Sequence, residues 1–130
     1  MRYLLDTNVL VAMFRGQHGI REAILKAGMS NCAVSEITFA ELLTGTYKGG
    51  FERHSHEIQF LQDNFEILPI SPVLETFARL CASMEKQGTP LDGFDLLIAS
   101  SAMSGKMTLI THNTRHFSRI PGLKFKDWEK

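Results

Sequence analysis

The sequence contains little cysteine and no long apolar run near its N-terminus. Its two cysteines, Cys32 and Cys81, lie inside apolar segments without the spacing of metal ligands. This excludes a disulfide-rich secreted scaffold, so we interpret both as reduced core residues, with a disulfide as the less favoured alternative. Only three apolar residues separate Arg2 from Asp6, too few for a signal peptide or a membrane span. The sequence therefore predicts a soluble, cytoplasmic protein without a membrane anchor.

The chain also lacks an excess of charge of either sign, since 14 basic residues balance 14 acidic residues. No overall field therefore indicates a nucleic-acid partner. From residue 106 onward, however, six basic residues face only Asp127 and Glu129: Lys106, Arg115, Arg119, Lys124, Lys126 and Lys130. We hypothesise that several acids elsewhere in the chain form a cluster that binds cations instead of neutralising this basic segment.

Repeats, low-complexity segments and linkers are absent as well, so 130 residues predict one domain over 1–130. Short apolar runs that resemble strands alternate with segments of helical periodicity. Strands are predicted at 2–5, 32–34, 66–68, 107–110 and less clearly 123–125, and helices at 9–14, 20–27, 36–47, 51–64, 72–87 and 94–104. Such alternation predicts an α/β protein: a three-layer α/β/α domain with a central parallel sheet of four to five strands.

The first predicted strand ends abruptly at Asp6, Thr7 and Asn8. The carboxyl ends of parallel strands form the edge where α/β sheets bind ligands, so an acid at this position is a candidate site residue. The alternative is that one of these residues merely caps the helix that begins near Val9. This stretch alone favours the cap.

A second acid, Glu41, falls on a helical stripe with Ile37, Ala40 and Thr44. An inward-facing carboxylate is costly unless a partner compensates its charge. The partner is either a salt-bridging residue such as Arg2 or something bound at a site.

A third acid, Asp95, shares a similar stripe with Ile98, Ala99 and Ala102 near a predicted helix start. Here a structural role competes strongly, because Asp92 and Asp95 have the spacing of a variant capping box.

These three acids, Asp6, Glu41 and Asp95, all follow strand ends or loops on the same predicted edge, so they can converge on one crevice. Carboxylates about 5 Å apart repel by roughly 3 kcal/mol per pair at an effective dielectric constant near 20. Such a cluster persists by binding protons, by pairing with lysine or arginine, or by binding hard divalent cations such as Mg²⁺ or Mn²⁺.

The segment after the fourth predicted strand, Thr111 to Phe117, reaches the same edge. Within it, His112 is conceivable as a general base, although a solvent-exposed loop histidine is the interpretation we favour. Asn113, Arg115 and His116 follow closely.

Taken together, these segments resemble PIN-domain ribonucleases, and among them the VapC-type toxins of bacterial toxin–antitoxin pairs. The resemblance covers nearly the whole chain. It is carried by the segments 5–8 (LDTN), 35–45 (SEITFAELLTG), 90–100 (PLDGFDLLIAS), 110–117 (ITHNTRHF) and 120–123 (IPGL), and by Trp128.

The resemblance implies hydrolysis of RNA phosphodiester bonds, with tRNA or another structured RNA as substrate. Asp6, Glu41 and Asp95 would bind one or two Mg²⁺ or Mn²⁺ ions, and Thr7 would orient Asp6. Asn113 occupies a position where many relatives carry a fourth acid, which puts a second tightly held cation in doubt. Asp92 would compensate only if it is not a cap.

The resemblance also implies partners: RNA, a small antitoxin protein and a second copy of the chain in a homodimer. Arg115, Arg119 and Lys106 are candidate RNA contacts because they lie near the site in the sequence. Met13, Phe14 and Phe39 are candidate docking residues for the antitoxin or ordinary core residues. Because Asn113 replaces an acid, a PIN domain without catalysis that regulates by binding RNA or protein remains the alternative function.

Overall fold

The computed structural model describes residues 1–129; Lys130, the last residue of the predicted domain and of the six basic residues, lies outside that range. The strands are β1 (Tyr3–Leu5), β2 (Cys32–Ser35), β3 (Glu66–Leu68), β4 (Thr108–Ile110) and β5 (Phe125–Lys126). The α-helices are α1 (Thr7–Arg15), α2 (Ile20–Ala27), α3 (Glu36–Gly49), α4 (Phe51–Asn64), α5 (Leu74–Lys86), α6 (Gly93–Ser104) and α7 (Thr114–Phe117). Two 3-10 turns, Met29–Asn31 and Ser71–Val73, precede β2 and α5.

The five strands form one sheet in the order β3-β2-β1-β4-β5, and every neighbouring pair is parallel. In the central pair, Leu5 lies opposite Ile110, and the backbone N–H of Asp6 donates to the Ile110 carbonyl at 2.9 Å. The residues that follow β1 and β4 therefore emerge side by side at the carboxyl edge of the sheet.

Alternate residues of the central strands pack on opposite faces of this sheet. Leu4 and Leu109 belong to a buried cluster that includes residues of α5, α6 and α7, whereas Leu5 and Ile110 pack with α1, α2 and α4. All four side chains are fully buried. This two-residue period is what a sheet covered on both faces requires, and the predicted three-layer α/β/α architecture is confirmed.

Local signals set several helix ends where the sequence predicts them. The Ser35 side chain accepts from the Ile37 N–H at 3.1 Å and caps α3. Gly16 ends α1 at φ 66°, a left-handed conformation that glycine adopts without a steric cost. Both cysteines are free, and burial raises the pKa of the Cys32 thiol to about 11, which fits an unreactive core residue; Cys81 is half-buried at the edge of the core.

The predicted bounds lie within about two residues of those in the structure, and two of the differences follow from backbone contacts. Ser71 does not cap a long helix from Pro72, because Val73 donates to the Ile70 carbonyl in a 3-10 turn and α5 begins only at Leu74. The last strand also lies later than 123–125, at Phe125–Lys126, where it pairs with Leu109 and Ile110 of β4. Every helix among residues 1–129 is too short or too polar to cross a membrane.

Candidate active site

Asp6 lies at the carboxyl end of β1 and is almost completely buried, with 3% of its surface exposed. Its Oδ1 accepts from the Thr7 N–H at 2.8 Å, which makes it the N-cap of α1. Its Oδ2 accepts from the Thr111 hydroxyl, also at 2.8 Å. Asp6 can therefore cap α1 and also belong to the site, because Oδ1 accepts from the helix and Oδ2 accepts from Thr111, which follows β4.

Thr111 is a residue of this site to which the sequence assigned no role. It is fully buried, and its hydroxyl oxygen also accepts from the Asn113 N–H at 3.0 Å. It thus connects Asp6 to the loop that carries Asn113. The sequence does show a polar residue directly after a buried strand. Its hydrogen bond to Asp6, however, depends on β1 and β4 being neighbours in the sheet, and the order of the strands along the chain does not reveal this.

Glu41 joins the site through Thr7. The Thr7 hydroxyl donates to Glu41 Oε1 at 2.7 Å and lies 3.3 Å from the hydroxyl of Thr38, which is fully buried one turn earlier on α3. The Thr7 hydroxyl therefore orients Glu41, whereas Asp6 receives the backbone N–H of Thr7.

The predicted environment of Glu41 needs two corrections. Ala40 and Thr44 of the predicted stripe are exposed, whereas Ile37 and Glu41 are half-buried, because the most buried side of α3 passes through Thr38 and Thr46. Arg2 does not compensate Glu41, since its guanidinium pairs with Glu66 Oε1 at 2.6 Å.

Asp95 lies in the first turn of α6 and is half-buried above the buried residues Ile98 and Ala99, as predicted. The predicted capping box is wrong, because the side chain of Asp92 accepts no capping hydrogen bond. Two acids at these positions repel instead: burial first, and the charge of Asp92 second, raise the pKa of Asp95. His116, whose Nδ1 lies 3.7 Å from Asp95 Oδ2, has the opposite effect.

The charges of Glu41 and Asp95 both act on Asp6. Burial raises the pKa of Asp6, the hydrogen bonds from Thr111 and Thr7 oppose this shift, and the charges of Asp95 and Glu41 add to it. Within residues 1–129, no lysine or arginine lies at ion-pair distance from any of the three. Asp6 is buried, Glu41 and Asp95 are half-buried, and all three offer the carboxylate oxygens that Mg²⁺ and Mn²⁺ prefer.

Of Asn113 and the predicted basic residues, some follow β4 at the carboxyl edge of the sheet and one precedes it. Asn113 is exposed at the start of α7, where its side chain gives no capping hydrogen bond, and Arg115 and Arg119 are exposed in and after that helix. Lys106 precedes β4 and thus lies at the opposite edge of the sheet from Thr111. Its predicted role depended on proximity to the site, which the fold does not provide.

His112 is not a solvent-exposed loop histidine. Only 17% of its side chain is exposed, its Nδ1 lies 3.0 Å from Asp127 Oδ1, and its Nε2 is buried without a hydrogen-bond partner among residues 1–129. Because Nδ1 faces Asp127 and Glu129 and Nε2 is buried, the geometry does not support a general base at this position.

The family model of the PIN domain matches residues 3–123 of this chain. Among curated proteins, "Ribonuclease VapC1" of Haemophilus influenzae (strain R2866) is 31% identical, with the alignment covering 100% of both chains. "tRNA(fMet)-specific endonuclease VapC" of Shigella flexneri is 27% identical over 98% of both. Among solved structures, this chain superposes on a chain of VapBC2 from Rickettsia felis, solved bound to a promoter DNA fragment, with a TM-score of 0.89 and 30% sequence identity. The match covers 99% of this chain and 100% of that chain.

The raised pKa values predict how stability depends on pH. Because folding raises the pKa values of Asp6 and Asp95, the native protein binds more protons than the unfolded chain just above the ordinary value of 3.8. In metal-free protein, these groups therefore make the free energy of unfolding fall as pH rises through that interval. Asp6→Asn removes one of the two charges, so the variant should lose part of this decrease and be more stable than wild type at neutral pH.

Urea unfolding in chelator at a series of pH values measures this effect. Asparagine can keep both contacts of Asp6, with Oδ1 accepting from Thr7 and Nδ2 donating to the Thr111 hydroxyl, so lost hydrogen bonds should not mask it. Glu75→Gln, at a carboxylate 81% exposed on α5, is the control and should follow wild type. Parallel curves for wild type and Asp6→Asn would contradict the assignment.

Proposed function

Since this chain belongs to the PIN-domain family and, within it, to the VapC group, we propose that it is a metal-dependent endoribonuclease that acts as a toxin. The observation that carries the proposal is the cluster of Asp6, Glu41 and Asp95 at the carboxyl edge of the sheet. It is an all-oxygen donor set in which the charges of Asp95 and Glu41 both raise the pKa of Asp6, and no lysine or arginine within residues 1–129 lies at ion-pair distance from the three acids.

These three acids are the residues that would hold one or two Mg²⁺ or Mn²⁺ ions. Oxygen donors in a partly buried setting suit hard cations, and repulsion among them is relieved by a positive charge. When bound, the cation supplies Lewis-acid shielding of phosphate charge and makes a hydroxide nucleophile accessible at neutral pH. Asp92 adds a further negative charge beside Asp95, which strengthens the attraction for a cation.

The remaining residues position this cluster. Thr111 and the Thr7 backbone hold the two oxygens of Asp6, and the Thr7 hydroxyl holds Glu41. These bonds restrict the carboxylates of Asp6 and Glu41, which reduces the reorganisation that binding requires. The exposed amide of Asn113 is placed to hydrogen-bond a substrate or water without adding charge.

RNA is the proposed substrate, with a structured RNA such as tRNA as the preferred class, because the Shigella flexneri relative is named as a tRNA(fMet)-specific endonuclease. The attacked bond is the phosphodiester. Arg115 and Arg119, exposed in and after α7, are the proposed backbone contacts, since α7 also carries His116 beside Asp95. An activity on tRNA places the protein in the cytoplasm.

We also propose a small antitoxin partner and a homodimer. The Rickettsia felis structure is a VapBC complex, which supports the antitoxin. A groove lined by Met13, Phe14, Ile24, Leu25 and Phe60 offers an apolar surface for a partner helix. Met13 is itself buried and Phe14 half-buried, so the two line this groove while also packing in the core.

The alternative function is a PIN domain that binds RNA or protein without cleaving it, which the amide at Asn113 favours. Calorimetric titration with Mn²⁺ distinguishes the two. A nuclease should bind the ion in a manner that depends on Glu41 and Asp95, whereas a scaffold should show no such binding.

Removing any one acid should abolish cleavage. Loss of metal-assisted stabilisation costs several kcal/mol, so Asp6→Asn, Glu41→Gln and Asp95→Asn should each slow cleavage of a tRNA pool on the order of 100-fold or more. Gel analysis of the products with Mg²⁺ or Mn²⁺ measures this, and a chelator should have the same effect. Glu75→Gln is the matched control; full activity in the Asp6→Asn protein would refute the proposal.

Thr111→Val should weaken catalysis without removing a carboxylate. It keeps the shape of the side chain but loses the donor to Asp6, and losses of this kind cost about 10–100-fold in activity or metal affinity. The Mg²⁺ concentration for half-maximal activity should rise, and Thr111→Ser should restore it. If serine fails to restore it while folding normally, the hydroxyl does not have this role.

Arg115→Ala should weaken RNA binding uniformly across sequences. Loss of one phosphate contact reduces the slope of log affinity against log salt concentration by about 0.7 to 1. Binding is measured by fluorescence anisotropy with the inactive Asp6→Asn protein. Lys106→Ala, at the opposite edge of the sheet, is the matched control, and an equal effect of the two substitutions would disprove the proposed orientation of the RNA.

A further inference from the structure

A second cluster of ionisable side chains lies apart from the three acids. It combines His18 from the loop between α1 and α2, His112 after β4, and Asp127 and Glu129 after β5. His18 Nδ1 lies 2.9 Å from Glu129 Oε1, and His112 Nδ1 lies 3.0 Å from Asp127 Oδ1 and 3.3 Å from Glu129 Oε2. Three segments that are distant in the sequence therefore bring two imidazoles and two carboxylates together.

The chemistry of this donor set differs from that of the active site. Imidazole nitrogen with carboxylate oxygen is a combination that binds Zn²⁺ and similar transition-metal ions, whereas oxygen alone suits Mg²⁺. His112, Asp127 and Glu129 have mutually close donors and would fill three of the four coordination positions of zinc, which leaves the fourth for the adjoining His18.

The spacing also suits a tetrahedral ion. Bonds of about 2.0–2.2 Å to a tetrahedral ion place neighbouring donors roughly 3.4 Å apart. The separations of 3.0 and 3.3 Å from His112 Nδ1 to Asp127 and Glu129 are close to this value, and the donors of these three residues all lie within 4.8 Å of one another. His18 lies outside this mutual set and adjoins it at Glu129, with its Nδ1 2.9 Å from Oε1. Small outward movements would admit an ion at the centre.

Neighbouring contacts hold the ligands in place. The Glu129 N–H donates to Asp127 Oδ1 at 2.8 Å, and the His112 N–H donates to Asn8 Oδ1 at 3.3 Å. Between the two acids, the Trp128 ring packs edge-on against Tyr3 at 4.9 Å. The cluster is thus partly ordered before any ion binds, as a metal site requires.

We propose that His18, His112, Asp127 and Glu129 form a second metal site, specific for Zn²⁺ or a similar transition-metal ion. The ion joins the C-terminal segment to the loop between α1 and α2. Because His112 also binds Asn8, two residues from Asp6, the same ion secures the edge of the sheet next to the active site. The site is independent of the proposed ribonuclease activity.

Zinc binding to untagged protein tests the proposal. The titration uses the Asp6→Asn background with millimolar Mg²⁺, so that the three acids contribute little to zinc binding. Calorimetry should show one Zn²⁺ per chain, and Co²⁺ as a probe should give the intense visible absorption of tetrahedral coordination. His18→Ala and His112→Ala should each lower zinc affinity at least about tenfold. His56→Ala, at an exposed histidine of α4, should leave it unchanged.

Circular dichroism checks that each variant folds, and Asp127→Asn replaces His112→Ala if the latter does not. A melting temperature that rises with Zn²⁺ in the background protein and not in the His18→Ala protein would support the site. Absence of one-to-one binding, octahedral Co²⁺ absorption, or equal affinity in the His18→Ala and His56→Ala proteins would overturn it. The four residues would then form only hydrogen-bonded ion pairs.

Discussion

The hydrogen bond from the Thr111 hydroxyl to Asp6 connects the two halves of the site. It joins residues 105 positions apart and is possible only because β1 and β4 are parallel neighbours in register. A carboxylate that is 3% exposed needs donors for both oxygens, and Thr7 supplies the other one. The sheet order therefore brings Thr111 to Asp6, and the bonds from Thr111 and Thr7 together cap α1 and orient the central acid.

Three acids lie at the carboxyl edge of the sheet without a lysine or arginine partner within residues 1–129, and a purely structural role would not require this arrangement. The charges of Glu41 and Asp95 raise the pKa of Asp6, and among the side chains of residues 1–129 the imidazole of His116 is the one basic group near these acids, 3.7 Å from Asp95 Oδ2. The chain maintains these acids with hydroxyl and backbone donors, which orient carboxylates without neutralising them. This arrangement leaves the negative potential available for a cation. In contrast, imidazoles accompany the acids of the cluster formed by His18, His112, Asp127 and Glu129, so the two sites differ in the metal chemistry that they support.

Local patterns predicted most elements because their causes are local. The helices over 20–27 and 51–64 and the strand over 66–68 have the predicted bounds, since helical periodicity, glycines and short β-branched or apolar runs act within a few residues. Predictions that depended on packing were less successful. Ala40 faces solvent, and Ser71 begins a 3-10 turn, because neighbouring elements decide which face of a helix is buried and how its first turn forms.

The sequence by itself determined the fold class, the strand ends at which acids appear, and the candidate acids themselves, because these depend on residue type and short-range spacing. Only the tertiary structure decided which donors hold each acid: Thr111 for Asp6, Thr7 for Glu41, and His116 beside Asp95. The tertiary structure also decided that Arg2 pairs with Glu66 and that the His112 ring contacts Asp127. Such contacts join residues far apart along the chain, and no local pattern encodes them, because they are set by the order in which the strands pair.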